Sequence, residues 1–277
     1  MKDAIITCSD ERFGDFLIEH WLASLEANVD LKNIDVIVLD YGLSKPQVER
    51  LKKALKGIII FKGKRDGHVN VIRFRDIDTI LSRKNYGQVL SVDGGDIIFQ
   101  TDLSPLLRRD SGSFRAACER RYARFKRSYM SGFFPKEVSE RIDAVLKGKR
   151  EINAGVLLAP ASKFRKLCQE VYALIDEKQK FGPDQHTVNY ILHRDGFVEL
   201  DEKYNFVVTV SKRRFIIKEG VFRFSNGEVI PIVHNAGHYR FFRPIERFGF
   251  GRDRNRLRWF FFSFVGFFVR LVDRLLG

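Results

Sequence analysis

The sequence predicts an α/β protein in which helices flank a mostly parallel, Rossmann-like sheet. Three observations predict this class. Short segments rich in β-branched residues alternate with segments whose apolar residues recur at helical spacing. The chain has 277 residues and a hydrophobic content of 44%, which suits one large folded domain. Polar and glycine-containing segments follow several predicted strands, and open α/β sheets bind their ligands beyond these strand ends.

Strands and helices alternate through the first half of the chain. The predicted strands are residues 4–8, 35–39, 58–61 and 88–92. The predicted helices are the apolar-periodic segment 16–25, the capped segment 44–55 and residues 76–81. In the second half, helices are predicted at 161–175 and 185–192, and strands at 155–158, 222–225 and 229–233. The repeated β-α-β order implies a parallel sheet.

Charge and cysteine content narrow the class of partner and the compartment. The net charge of +14 favours a polyanionic partner, which is a nucleic acid, an anionic lipid or a phosphorylated substrate. Cys8, Cys118 and Cys168 lie far apart without a Cys-x-x-Cys spacing, so reduced cytosolic thiols are the preferred interpretation. The amino-terminal segment lacks the apolar stretch of a signal peptide, and no stretch reaches the roughly 18 to 20 apolar residues that span a bilayer.

An acidic, glycine-containing turn follows the predicted strand 88–92. It reads Asp93-Gly94-Gly95-Asp96. Carboxylate oxygens are the ligands that Mg²⁺ and Mn²⁺ prefer, and glycine lets the backbone and a phosphate approach closely. A solvated turn is an equally good interpretation of these four residues, because Asp-Gly is a common turn dipeptide.

A histidine at a second strand end supports the metal interpretation. His234 follows the apolar residues 229–233 and precedes Gly237 and Arg240. A neutral imidazole can complete an oxygen-rich Mn²⁺ site, and a nearby cation can neutralise a diphosphate. A single histidine at a strand end is more often structural. Its pairing with the acidic turn favours a shared divalent cation.

Several motifs follow one another between residues 3 and 245. They are Ser9-Asp10-Glu11-Arg12-Phe13, Asp40-Tyr41-Gly42-Leu43-Ser44, Arg75, Asp93-Gly94-Gly95-Asp96, Ile152-Asn153-Ala154-Gly155, Gly182-Pro183-Asp184-Gln185, and His234 with Gly237 and Arg240. In this order they resemble the motifs of family 8 glycosyltransferases, a retaining group with the GT-A fold.

The resemblance implies roles for individual residues. In this family an Asp and an aromatic ring hold the uracil, which here are Asp10 and Phe13. The implied donor-binding residues are Cys8, Asp10, Phe13, Asp40, Arg75, Asp93, Gly94, Asn153, Ala154, Gly237 and Arg240. The implied metal ligands are Asp93, Asp96 and His234, and Asp184 and Gln185 are the implied catalytic residues beside the reacting carbon. The resemblance thus implies transfer of a hexose from a UDP-linked donor, with retention, at a Mn²⁺ or Mg²⁺ site.

Two departures from the family pattern affect this site. Asp96 aligns with the second Asp of the Asp-x-Asp motif and Gly94 with the first, so Asp93 must reach in from one position earlier. Arg240 stands where the family has Lys, which keeps the charge and adds a bidentate fork for phosphate.

Simpler structural roles also remain open for several of these residues. Asp184 follows Gly-Pro and suits a helix N-cap, and Asp10 suits the same role for the helix that contains Trp21. Asn153 can satisfy a buried backbone group, and Arg75 can be an ordinary surface cation.

The carboxyl-terminal segment 246–277 is predicted to be a basic aromatic tail, separate from a glycosyltransferase domain at residues 1–245. Four arginines at alternate positions from 252 to 258 precede a run of aromatic residues, and charged residues return at helical spacing after 269. Such a helix typically lies in the interface of an anionic membrane. We therefore expect a peripheral protein on the cytoplasmic face of the membrane. A helix that packs on the core or forms a dimer is the alternative.

The sequence leaves three alternatives to a retaining transferase. A nucleic-acid-binding protein would account for the charge, but the arginines cluster beside an apolar helix and no nucleic-acid motif is present, so we expect no nucleic-acid partner. A silent relative would bind a nucleotide sugar without transferring it. An inverting transferase needs a carboxylate base near the acceptor. The expected acceptor is a glycan or glycolipid, inferred only from the membrane tail.

Overall fold

The computed structural model describes residues 1–119, 133–237, 242–246, 248–250 and 256–276. In the final helix, side chains are described up to residue 268 and at residue 271. Arg240 and the arginines at 252 and 254 lie outside the described residues.

Seven strands form the central sheet. They are β1 (Asp3–Ser9), β2 (Ile34–Asp40), β3 (Ile59–Lys62), β4 (Gln88–Val92), β6 (Arg115–Cys118), β7 (Ile152–Pro160) and β8 (Val198–Leu200). Their spatial order is β3-β2-β1-β4-β7-β6-β8. Strand β7 runs antiparallel to both of its neighbours, and the other pairs are parallel. The predicted mostly parallel α/β sheet is therefore confirmed.

Helices cover both faces of this sheet. They are α1 (Glu11–Phe16), α2 (Ala23–Asn28), α3 (Lys45–Ala54), α4 (Val69–Arg83), α5 (Ser104–Arg108), α6 (Lys136–Leu146), α7 (Ala161–Leu174) and α8 (Pro183–Asp195). A π-helical segment, Leu17–Leu22, joins α1 to α2. One apolar cluster lies between the sheet and α4, α6, α7 and α8, and a second lies between the sheet and α1, α2, α3 and α5. Burying both faces explains why the central strands consist of nearly continuous apolar residues.

Smaller β elements pack beside the main sheet. They are β5 (Ile97–Phe99), β9 (Phe206–Val207), β10 (Phe215–Lys218), β11 (Val221–Phe224), β12 (Ile232–His234), β13 (Ile245–Glu246) and β14 (Arg256–Leu257). Strand β12 lies between β5 and β9, whereas β10 pairs with β11 and β13 with β14. A third apolar cluster, which includes Ile98, Phe206, Phe222 and Val233, joins these pieces. Ile98 and Val233 belong to β5, which Asp96 precedes, and to β12, which ends at His234.

A final helix, α9 (Trp259–Leu276), follows β14. Across the described residues, no helix combines the length and apolar character that crossing a membrane requires. Phe262 packs against the third cluster, while Trp259 and Phe260 are 66% and 80% exposed. The division of the chain at residue 245 stays a prediction.

Candidate active site

Polar side chains gather where the parallel strands end. Asp10 follows β1, Asp40 ends β2 and Asp93 follows β4. Because β7 is antiparallel to β4, its amino-terminal residues Asn153 and Ala154 lie at the same edge. The backbone N–H of Asp93 donates to the carbonyl of Gly155 at 3.0 Å, which fixes the two strand ends together. This edge is where open α/β sheets bind ligands.

Three potential metal ligands meet at this edge. Asp93, Asp96 and His234 each offer one ligand atom, and these atoms lie within 4.8 Å of one another. Strand pairing brings them together, because His234 lies opposite Ile97 and the N–H of Asn235 donates to the carbonyl of Asp96 at 2.8 Å. The predicted convergence of the acidic turn and the histidine is present, with Asp93 reaching in as the aligned motif required.

The atoms of this cluster suit a divalent cation. Oδ1 of Asp96 is buried and has no hydrogen-bond partner within the described part of the chain, although Nε2 of His234 lies 3.4 Å away. Buried carboxylate oxygens are normally satisfied by a partner, and a divalent cation at this position would satisfy this one. Carboxylate and imidazole groups together suit Mn²⁺, and oxygen ligands also suit Mg²⁺.

Asn205 orients the imidazole of His234. Its side-chain Nδ2 donates toward the carbonyl and the side-chain oxygen of Asn153 at 3.2 Å, so its Oδ1 must be the acceptor facing Nδ1 of His234 at 2.9 Å. The proton of neutral His234 therefore sits on Nδ1, which leaves the lone pair of Nε2 directed at the acidic pair. Such an outer partner usually orients a metal-binding histidine.

The close approach of His234 and Asp96 favours the charged form of each side chain. Burial opposes charge on His234, but the carboxylates of Asp96 and Asp93 outweigh burial and raise the pKa of His234 above its usual value. Burial likewise opposes charge on Asp96, but His234 and Arg243 outweigh it and lower the pKa of Asp96. A cation would replace the proton of His234 as the positive partner.

Glycine makes room for this cluster. A Cβ on Gly155 would lie 2.5 Å from Cε1 of His234 and 3.0 Å from Oδ2 of Asp93. A Cβ on Gly94 would meet the carbonyl oxygen of Cys8 at 2.7 Å. Both distances are far inside ordinary contact, so these backbone positions tolerate only glycine without movement.

The arginine of α4 that reaches the cluster is Arg73. Its guanidinium contacts Asp93 at 2.6 Å and Asp184 at 3.4 Å. Burial opposes the charge of Arg73, but these two carboxylates outweigh it and raise its pKa. It links the acidic turn to the start of α8.

Arg75, the arginine expected to bind the donor, does not reach this cluster. It pairs with Asp66 at 2.6 Å and with Asp76 at 2.8 Å. Two residues along a helix rotate a side chain by about 200°, so Arg73 and Arg75 face opposite ways. Arg73 is therefore the arginine of α4 that contacts the acidic cluster, and the donor-binding role of Arg75 stays a prediction.

Arg243 is a second cation at the site. It contacts Asp96 at 3.1 Å and donates to the carbonyls of Gly95 at 2.9 Å and Gly237 at 3.1 Å. Gly237 was expected at the site and contributes this carbonyl. The other expected member of its motif, Arg240, is not among the described residues.

The predicted catalytic pair opens α8. Gly182 occupies the N-cap position with a φ of 108°, so Asp184 lies inside the first turn and is not the cap. Asp184 is buried against Arg73, whereas the Nε2 of Gln185 donates to Glu151 at 2.7 Å. A carboxylate only accepts hydrogen bonds, so the carbonyl oxygen of Gln185 faces away from Glu151.

Asn153 and Ala154 lie near the start of β7, at the same edge of the sheet as the acidic cluster. Asn153 donates to Glu119 at 2.8 Å, and its Oδ1 accepts the backbone N–H of Gly155 at 2.9 Å. The interpretation of Asn153 as a partner for a buried backbone group therefore holds in the structure. Ala154 is buried in the core of the sheet.

The end of β1 and the start of α1 carry three of the expected donor-binding residues. Asp10 makes no capping hydrogen bond and pairs instead with Arg65 at 3.0 Å, while its Oδ1 is buried without a described partner. The guanidinium of Arg243 lies 5.5 Å from the centre of the Phe13 ring. Burial raises the pKa of the partly exposed Cys8 thiol to about 11, even though Arg73 lies nearby.

The carboxylate of Asp40, at the end of β2, accepts hydrogen bonds from the loop that follows. Its Oδ1 accepts the backbone N–H groups of Gly42 at 2.8 Å and Leu43 at 2.7 Å, and its Oδ2 accepts from Lys62 at 3.0 Å. Burial opposes charge on Asp40, but these hydrogen bonds outweigh it and lower its pKa. These bonds hold the loop after β2 in place.

Sequence reasoning missed three residues of the site. Arg73, Asn205 and Arg243 each contact a residue of the acidic cluster. The periodicity of α4 places Arg73 and Arg75 on different sides of the helix, and this signal in the sequence could have distinguished them. Asn205 stands in no motif, and only the packing of its short 3₁₀ turn (Glu202–Asn205) against β7 and β12 brings it to His234.

The fold and the cluster together define a class. An open sheet with one reversed strand beside an Asp-Asp-His group at its carboxyl edge is the arrangement of a GT-A-type α/β protein. The chain belongs to glycosyl transferase family 8, whose family model matches residues 29–239.

Solved structures share this fold. The chain is similar to the glycosyltransferase GlyE of Streptococcus pneumoniae TIGR4, with 18% identity and a TM-score of 0.57, over 99% of this chain and 64% of GlyE. It is also similar to the galactosyltransferase LgtC in complex with donor and acceptor sugar analogues, with 16% identity and a TM-score of 0.54, over 95% of each chain. At these identities the likeness shows the GT-A fold. A comparison with curated proteins gave no significant match.

Proposed function

We propose that this protein transfers a hexose from a UDP-linked donor to a glycan or glycolipid acceptor, with retention of configuration and with a divalent cation at Asp93, Asp96 and His234. The observation that carries the proposal is the convergence of these three side chains within 4.8 Å, at the ligand-binding edge of a family 8 fold. LgtC was solved in complex with donor and acceptor sugar analogues, which supports a donor and an acceptor as the two substrates here.

The bound cation would stabilise the negative charge that develops on the departing diphosphate. Arg73 holds Asp93 and Asp184 in fixed positions, and Arg243 does the same for Asp96. Preorganised charges of this kind usually supply the largest part of catalysis, because they need no rearrangement during the reaction.

In this proposal Asp184 and Gln185 lie beside the anomeric carbon. The carbonyl oxygen of Gln185 is turned away from Glu151 and is therefore available to a positive sugar ring. Asp184, already buried against Arg73, adds negative charge at the same helix start. Both groups would stabilise an oxocarbenium-like transition state.

Two measurements test the enzymatic proposal. A thermal-shift panel of nucleotide sugars, with and without Mn²⁺, identifies the donor, because a ligand that binds the folded state raises apparent stability. Donor hydrolysis and transfer are then compared for Asp96→Asn and for the matched control Asp102→Asn, an exposed aspartate near the end of β5. We expect Asp96→Asn to abolish turnover and Asp102→Asn to leave it unchanged.

Each outcome has a distinct meaning. Transfer that persists in a strong chelator, or in Asp96→Asn, contradicts the metal role. Binding of a UDP-sugar with Mn²⁺ but without hydrolysis or transfer identifies a silent nucleotide-sugar-binding protein.

We further propose that α9 attaches the protein to the cytoplasmic face of an anionic membrane. Phe264, Phe267 and Phe268 are exposed along one side of the helix, together with Trp259 and Phe260. An exposed aromatic face in a strongly basic chain suits the interface of an anionic bilayer. The tail variant Phe264→Ser, Phe267→Ser, Phe268→Ser is expected to lose sedimentation with anionic vesicles, and undiminished sedimentation contradicts the proposal.

A further inference from the structure

The β10–β11 hairpin has a basic outer face. Along residues 212–218 the side chains alternate, so that Phe215 and Ile217 pack on the third apolar cluster. Between them, Lys212, Arg214, Ile216 and Lys218 point outward and are exposed. Alternation with a period of two is what a strand with one buried face requires. The outward residues are nevertheless unusual, because they combine three cations with a large apolar side chain that is 51% exposed.

This hairpin lies beside the tail helix. The rings of Phe215 and Phe262 meet edge to face, with their centres 6.0 Å apart. Both elements pack on the same small cluster through their inner sides. Their outer sides therefore both face away from one shared core.

The exposed residues of α9 fall on one half of the helix. They are Trp259, Phe260, Phe264, Phe267, Phe268 and Leu271, whereas Phe262, Val265 and Gly266 are half-buried or buried. At about 100° per residue, the exposed set spans about 180° of the helix surface. The apolar side of α9 is therefore exposed on an element that directly contacts the hairpin.

We infer that the outer face of the β10–β11 hairpin is a second membrane-binding element, which forms one docking surface for an anionic bilayer together with α9. The inference rests on the membrane attachment proposed for α9. Lys212 and Arg214, which precede β10, and Lys218, which ends it, are exposed cations that match anionic headgroups. Ile216 between them can enter the interface as the aromatic residues do. Glu219 lies in the turn beyond this strand.

A second contact has a consequence that a helix alone cannot supply. A single interfacial helix restrains the rotation of the attached domain about the helix axis only through its own apolar face. Contact through the hairpin would restrain this rotation further and so narrow the range of directions in which the carboxyl edge of the sheet can face. The hairpin and His234 belong to the same set of small β elements, so the orientation of one constrains that of the other.

The test uses the full-length chain and vesicles of phosphatidylcholine and phosphatidylglycerol in equal parts. The hairpin variant is Lys212→Gln, Arg214→Gln, Lys218→Gln. Its matched control is Lys52→Gln, Lys53→Gln, Lys56→Gln, which removes the same charge from exposed positions in and just after α3. Each cation near an anionic surface contributes about a fivefold gain in affinity, so we expect the hairpin variant to bind about a hundredfold more weakly than the control. The difference should vanish at 1 M salt, where the Debye length falls to about 3 Å.

The outcomes separate the two proposals. If the hairpin variant binds vesicles as tightly as its control while the tail variant does not bind, the hairpin inference fails and membrane attachment through α9 stands. If the unsubstituted protein does not bind vesicles, both fail. If vesicle binding is unchanged but the hairpin variant disrupts a dimer in sedimentation velocity, the face binds a second copy of the chain and the inference is overturned. None of these outcomes affects transfer to a soluble acceptor.

Discussion

Placing a methyl group on Gly155 tests the metal cluster without removing any ligand. In Gly155→Ala the new Cβ would lie 2.5 Å from Cε1 of His234, whereas carbon atoms in contact prefer about 3.5–4.0 Å. The imidazole must therefore retreat by about 1 Å. The carboxylate of Asp93, with Oδ2 at 3.0 Å from the same Cβ, is crowded as well.

The expected loss follows from this displacement. Metal–ligand distances tolerate about 0.2 Å, and a misplacement of about 1 Å costs a site about a hundredfold in activity. We expect Mn²⁺ affinity to fall by about a hundredfold, which is about 2.8 kcal/mol. Crowding in the strand should also lower the free energy of unfolding by about 1–3 kcal/mol.

The assay is calorimetric titration of Mn²⁺, with donor turnover measured alongside and circular dichroism as the check on folding. Gly112→Ala is the control, because a Cβ at Gly112 meets no atom of the described chain within 4 Å. The control should bind Mn²⁺ like the unsubstituted protein. If folded Gly155→Ala binds Mn²⁺ with unchanged affinity, the cluster of Asp93 and His234 is not the cation site.

Three further predictions concern Arg73, Asp40 and Ser44. Arg73→Lys keeps the charge but loses the fork that spans two carboxylates, so kcat/KM should fall by roughly tenfold or more, and an unchanged value would contradict the bridging role. The folded-state pKa of Asp40 lies below that of the unfolded chain, so its stabilisation is fully present above the unfolded value and is lost as pH falls through the folded value. The difference in unfolding free energy between the unsubstituted protein and Asp40→Asn, measured by urea denaturation, should therefore shrink as the pH is lowered below about 4, and a difference constant with pH would refute this. Ser44→Ala removes a capping box at α3 and should cost about 1 kcal/mol of stability in the same denaturation, with no change in Mn²⁺ affinity.

The sequence was sufficient where local chemistry and tertiary structure agree. Strand β4 has the bounds that its apolar run predicted, and Ser44 caps α3 where the capping signal stood. Helix α4 begins seven residues before the predicted start, at Val69, because His68 provides a cap that the apolar pattern did not reveal. The strand predicted at 229–233 shortens to Ile232–His234.

Strand β6 could not be predicted from its own residues. It reads Arg-Ala-Ala-Cys, with a charged residue and no β-branched side chain, yet all four residues are buried. Arg115 is accommodated because its guanidinium donates to the carbonyls of Leu106, Leu107 and Arg109. These partners belong to α5 and its end, so only the tertiary structure makes the strand possible.

The site likewise contains residues that the sequence predicted and residues that it did not. Asp93 was predictable because it follows a strand of the main sheet at the edge where such sheets bind ligands. Asp96 and His234 lie beside it at the paired ends of β5 and β12, and the sequence marked both as polar residues at the ends of apolar segments. Asn205 and Arg243 were not predictable, since each reaches the cluster from a segment without a motif. Arg73 contacts the cluster and Arg75 does not, because an offset of two positions on a helix reverses the direction of a side chain.

The edge-to-face contact of Phe262 with Phe215 has a practical consequence for anyone shortening this chain to improve its solubility. A version ending before Trp259 would strip Phe262 from the third cluster and uncover the inner side of the hairpin. That cluster also contains Ile98 and Val233, the immediate neighbours of the strand positions that set Asp96 and His234. Polar substitutions on the outer half of α9 are therefore the safer way to a soluble protein, since they leave the support of the cation site in place.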